Sequence, residues 1–127
     1  VDELLEAHRV LGYVGIVANG IAGLVMLGAW RWPALRRPAG WWLVGAAQVL
    51  ILTQVVLGTL VVAFDETYRA VVPRFHMFYG FLIFITVGLL TQYRAQVRGR
   101  GRRELLYGLG GLFIMGLGIR AVLQVTG

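Results

Sequence analysis

Apolar positions run through four long stretches of this chain, about residues 7–30, 41–64, 75–93 and 105–125. Each is long enough to cross ~30 Å of hydrocarbon as an α-helix, at about 1.5 Å of rise per residue. The intervening stretches, 31–40, 65–74 and 94–104, hold nearly all the charge and all three prolines. Connections this short make successive helices antiparallel neighbours. The pattern therefore predicts an all-α fold, a transmembrane four-helix bundle of up-down-up-down order. Its first and third helices run parallel and stand diagonally opposite. Pro73 lies just before the third stretch, where a helix readily begins. No stretch is long enough for a separate soluble domain, so residues 1–127 read as one membrane domain. The first stretch is too long for the apolar part of a cleaved signal peptide and lacks a basic leader, so it is expected to be retained.

Composition agrees. Of 127 residues 58% are hydrophobic and only 14% charged, against about a quarter charged in a soluble domain; mean hydropathy is +0.74. All 12 basic residues are arginine and the net charge is +6, a balance that invites a nucleic-acid reading until placement is considered. Arg31, Arg36 and Arg37 fall in the first connection; Arg94, Arg98, Arg100, Arg102 and Arg103 fall in the third. Asp2, Glu3, Glu6, Asp65 and Glu66 fall on the opposite side. Arginine-rich loops stay in the cytoplasm. The charge thus reports topology, with both termini and the second loop extracytoplasmic, in a multi-pass protein of the plasma membrane. Partners are then the lipid bilayer, including anionic lipid at the basic loops, and no nucleic acid. Trp30, Trp32, Trp41 and Trp42 bracket the first loop, while Tyr68, Tyr93 and Tyr107 mark other helix ends, as interfacial aromatic belts do.

Cysteine is absent, which excludes disulfides, thiolate metal sites, iron–sulfur clusters and covalently attached c-type haem. Serine is absent too, and no nucleotide-binding loop is present. Glycine numbers 18. Gly12, Gly15, Gly20, Gly23 and Gly28 stud the first helix, and Gly108, Gly110, Gly111, Gly116 and Gly118 the fourth, as expected where helix backbones approach closely in lipid. Asn19, Gln48, Thr53, Gln54 and Gln124 are polar residues inside the spans, suited to interhelical hydrogen bonds. Gln54 and Gly58 are also placed to approach a haem edge or a quinone.

The only histidines, His8 and His76, open the first and third helices in the same pattern, His-x-x-x-Gly-aromatic: His8 with Gly12 and Tyr13, His76 with Gly80 and Phe81. Both helices enter from the outer face, so the two imidazoles sit at similar depth and can face one another across the bundle. A haem fits between two such nitrogens, each ~2 Å from the iron, and bundle interiors are where these sites are built. Gly12 and Gly80 lie one turn deeper on the same faces, where a missing side chain lets a porphyrin lie against the backbone. Arg9, Arg69, Arg74 and Arg120 are the outer-side arginines available to propionates. Arg120 is the most telling, because it interrupts an apolar helix. The expected cofactor is one haem b per chain, its iron ligated by His8 and His76, with Gly12, Gly80, Arg9, Arg74 and Arg120 around it. Zinc or copper fits less well, since two histidines leave the coordination incomplete. Met77, beside His76, points about a quarter turn away.

At these residues the chain resembles the haem A synthase family, whose members have two four-helix halves with a histidine pair in each. The likeness rests on His8–Arg9, on Gln54–Val–Val–Leu–Gly58–Thr–Leu–Val in the next helix, and on His76 soon after the outer loop. It implies a haem at the outer face with His8 and His76 as axial ligands. The chain has half the family's length and one pair. Leu5 stands where the family has a glutamate, with Glu6 one step away, and the outer-loop cysteines of some members are missing. A homodimer would restore two pairs. Small four-helix membrane cytochromes b share the bundle and bis-histidine design without a specific motif. Three functions follow: an electron-carrying cytochrome b that is a subunit or partner of a respiratory or photosynthetic complex, a haem-modifying enzyme alone or as a homodimer, and a cofactor-free accessory subunit. Two imidazoles leave no open iron position, which favours electron transfer over a stand-alone enzyme.

Overall fold

A computed structural model describes residues 2–126. Among them the chain forms α1 (Asp2–Arg31), a 3₁₀ turn (Pro33–Leu35), α2 (Pro38–Phe64), α3 (Glu66–Val71), α4 (Arg74–Arg94) and α5 (Arg102–Thr126). No strand occurs among the described residues. Helices α1, α2, α4 and α5 are long and apolar enough to cross a membrane.

The helices outrun the apolar stretches because polar residues complete their ends. Asp2 and Glu3 occupy the first turn of α1 and Arg31 its last, each sign matching the local end of the helix dipole. Arg36 reaches back to cap the same helix, donating from Nε to the Ala29 carbonyl (2.7 Å) and from a terminal nitrogen to that of Trp30 (3.0 Å). Pro38 starts α2 at its first position, where the missing N–H costs nothing. The outer loop contains the short helix α3. Its N-cap, Asp65, accepts a hydrogen bond from the Tyr68 N–H at 3.1 Å. Gly101, at φ +76°, turns the chain into α5 beside Arg36.

Helix α1 packs along both α2 and α5, and α5 packs along α4. Contacts such as Gly15 with Ile51, Gly118 with Ile16 and Gly110 with Leu90 run in opposite chain directions in each pair. Helices α1 and α4 stand diagonally, as loop length predicts. Helices α2 and α4, although consecutive spans, touch only lightly. The short α3 lies in the connection between them, and both helices line a cleft.

The tightest seam joins α1 to α5. A Cβ on Gly23 would lie 2.9 Å from the Gly108 carbonyl, and one on Gly111 would lie 2.8 Å from the Asn19 carbonyl. Backbone touches backbone here, as in small-residue crossings within lipid. Met26, Ile51, Ile83 and Ile114 fill the middle of the bundle. Asn19, also fully buried, donates from Nδ2 to the Gly15 carbonyl (2.8 Å) and across to that of Ala47 on α2 (3.1 Å). Thr53 and Gln124 face outward instead. The outer surface carries Leu24, Val49 and Phe64 at 63%, 63% and 75% exposure. So much outward apolar surface suits a hydrocarbon solvent.

Candidate functional site

Antiparallel packing brings the starts of α1 and α4 to the same end of the bundle as the last turns of α2 and α5. His8 and His76 meet there. Their ring centroids are 6.0 Å apart and their planes 84° apart. Each imidazole is tied to the helix beside it. His8 Nδ1–H donates to the Gln54 carbonyl on α2 at 2.9 Å, and His76 Nδ1–H donates to the Ala121 carbonyl on α5 at 2.7 Å. A carbonyl can only accept, so both protons are assigned to Nδ1, and in the neutral rings Nε2 carries the lone pair. Neither Nε2 has a hydrogen-bond partner among the described residues. This is the arrangement of metal-ligating histidines, whose second nitrogen donates to a backbone carbonyl that fixes tautomer and ring direction.

Gly58 is what seats His8. A Cβ at position 58 would lie 2.5 Å from His8 Cε1 and 3.0 Å from Nδ1, so the ring rests directly on the α2 backbone. The two rings border a cavity of about 880 Å³ that extends toward the α2–α4 cleft. Ile16, Ile51, Val55 and Phe84 give it apolar walls, and Gly12, Tyr13, Gly80 and Phe81 of the repeated pattern also line it. The two glycines differ in surroundings. Around Gly80 a Cβ would meet nothing within 4 Å, whereas at Gly12 it would lie 3.5 Å from the Gln54 side chain. The Gln54 amide thus occupies the space beside Gly12, and its Oε1 is buried without a hydrogen-bond partner. Tyr68 of α3 closes one edge. Burial raises its phenol above the usual pKa.

Among the expected propionate partners only Arg9 lines the cavity; Arg69, Arg74 and Arg120 do not, and all four are exposed. Arg9 also pairs with Glu6 at 3.4 Å, an ion pair open to solvent. Met77 lies on the wall beside His76.

The donor set fits a haem. Their Nδ1–H groups already engaged, the two imidazoles would each offer Nε2 to a metal, and their centroids lie 6.0 Å apart. Among the described residues no group of three or more His, Asp or Glu could hold a bare ion. A haem would need only two protein ligands, which His8 and His76 would provide. The cavity and the open face of Gly80 are further features that a planar group could occupy. Sequence reasoning brought the two histidines to one end of the bundle, where their rings lie 6.0 Å apart. It gave Gly58 a different task and missed the two anchoring carbonyls, which any residue type supplies.

No family model matches the chain, and no curated protein or solved structure matches it either.

Proposed function

We propose that the chain is a membrane-bound b-type cytochrome that holds one haem between His8 and His76 and carries electrons as a subunit or partner of a larger respiratory or photosynthetic complex. One observation carries this reading: two imidazoles with carbonyl-anchored Nδ1–H groups lie with their centroids 6.0 Å apart beside a large apolar cavity. Haem b supplies a one-electron redox couple when bound. The chain's residues do the rest. His8 and His76 would hold the haem iron, each through the Nε2 left free by its Nδ1–H bond. The Gln54 and Ala121 carbonyls hold the rings in direction and raise their basicity. Ile16, Ile51 and Phe84 keep water from the centre, and Arg9 is positioned to meet a propionate at the rim.

In this reading the protein lies in the plasma membrane in up-down-up-down order. Arginine-rich loops face the cytoplasm, and both termini with the histidine end face outward. The absence of cysteine makes sidedness simple to test. Thr67→Cys, in the outer loop, should react with an impermeant thiol reagent in whole cells, and Gln96→Cys should react only after lysis. The reverse pattern would invert the topology.

A reduced-minus-oxidised spectrum of protein produced with haem available tests the cofactor. A sharp α-band near about 560 nm is expected of six-coordinate haem b, lost in His8→Ala and in His76→Ala. No band, or a band unchanged in both variants, would refute the assignment. A haem whose mass changes on turnover with an electron donor and oxygen would favour the haem-modifying reading instead.

A further inference from the structure

At the opposite end of the bundle, a second cavity of about 580 Å³ lies between the start of α2, the end of α4 and the start of α5. Arg36, Arg37, Arg94, Trp41, Trp42 and Glu104 form its walls with Pro38. Three guanidiniums face one carboxylate. The only ion pair among the described residues is Arg9 with Glu6, at the far end, so none of the three is neutralised by a carboxylate within 4.0 Å. Arg94 is held in place without losing its charge: its Cζ stacks 4.5 Å above the Trp41 ring and 5.9 Å from Tyr107. Tyr107 is fixed in turn by an edge-to-face contact with Trp41, at 5.1 Å, and by donating to the Leu90 carbonyl at 3.1 Å. Arg36 is anchored by its two bonds to the end of α1. The start of α2 adds the positive end of a long helix, with no acidic residue in its first turn and no side-chain cap.

We propose that this cavity binds the phosphate group of an anionic membrane phospholipid. Guanidiniums pre-set by stacking and capping suit a phosphate diester, whose oxygens accept paired N–H donors. The source is lipid because the cavity sits in the tryptophan belt. Trp42, 80% exposed, lies beside it at headgroup level, where indoles settle, and basic pockets between spans on the arginine-rich side recognise acidic headgroups. Glu104 limits how much negative charge enters and favours a monoanionic diester over a dianion.

The test is native mass spectrometry of the full chain in detergent, with phosphatidylglycerol, zwitterionic phosphatidylcholine and soluble glycerol phosphate as probes. Retention of phosphatidylglycerol over phosphatidylcholine is expected. Arg37→Gln, which removes an exposed side chain with no hydrogen bond to other described residues, should lower that retention by roughly fivefold, the worth of one interfacial arginine. Adding Arg94→Gln should lower it further. Arg98→Gln makes the same charge change outside the cavity and should leave retention within about twofold of the parent if a defined pocket, rather than diffuse charge, is responsible. Equal retention of the two lipids, or equal losses in Arg37→Gln and Arg98→Gln, would overturn the site. Displacement of lipid by glycerol phosphate at matching concentration would overturn its assignment to lipid.

Discussion

Gly58→Ala tests the histidine end with a single methyl group. The new Cβ would lie 2.5 Å from His8 Cε1, 3.0 Å from Nδ1 and 3.3 Å from Nε2, whereas carbon atoms rest at about 3.5–4.0 Å. The ring must therefore retreat by roughly 1 Å. It cannot do so freely, since Nδ1 is tied to the Gln54 carbonyl at 2.9 Å, one turn before the substituted position. Stretched by that amount, the bond passes the ~3.5 Å limit and is lost. Overpacking costs about 1–3 kcal/mol, and the bond about 0.5–1.5 kcal/mol. Taking about 2 kcal/mol against the ligated state predicts a roughly thirtyfold loss of haem affinity. Titration of haem into detergent-solubilised apoprotein, followed at the Soret band, measures it directly. Gly45→Ala is the control in the same helix, because a Cβ there meets nothing within 4 Å. Parental affinity and spectrum in Gly58→Ala would show that the wedge of His8 against α2 plays no part in ligation.

Other substitutions separate packing from ligand binding. Gly80→Ala meets no protein atom within 4 Å, so the melting temperature of the apoprotein should hold or rise slightly, helped by up to about 1 kcal/mol of helix propensity, while haem affinity falls because position 80 lines the cavity. Gly111→Ala drives a methyl to 2.8 Å from the Asn19 carbonyl and 2.9 Å from Gly23 Cα. Backbone cannot yield there, so scanning fluorimetry should show a loss of about 1–3 kcal/mol. Asn19→Leu removes two hydrogen bonds and should cost about 1 kcal/mol, modest because polar groups in lipid find other partners. Arg120→Gln should leave haem affinity unchanged, since Arg120 does not line the cavity; Arg9→Gln should weaken it.

Much of the fold was legible because lipid leaves few options. Twenty or so apolar residues between polar clusters read as a span whatever packs against them, and α1, α2, α4 and α5 appear where those runs lie. Helix ends were harder to place, since Asp2, Pro38 and Arg102 start helices beyond the apolar limits. The short α3 follows from local chemistry, with Asp65 as its cap, yet six residues are too few to stand out by periodicity. His8 and His76 were legible as neighbours because short connections decide which helix ends come together. Their hydrogen bonds were not, because backbone carbonyls leave no mark in a sequence. Nor was the partner of each glycine. Gly23 and Gly111 touch backbone, Gly58 touches an imidazole and Gly80 faces open space, although all four carry the same letter. Arg120 stood out because it interrupts an apolar helix; its side chain is exposed and does not line the cavity.

The two imidazole bonds also say how the molecule is fastened. His8 latches α1 to α2 and His76 latches α4 to α5, so at this end each helical hairpin is clasped to itself, and the hairpins meet through the α1–α5 seam. A group gripped by both rings would be a crossbeam between them. Loading it would add a second tie between hairpins already joined along the α1–α5 seam, and amide hydrogen exchange around residues 54–60 and 118–124 should slow together on loading and quicken together when either clasp is cut.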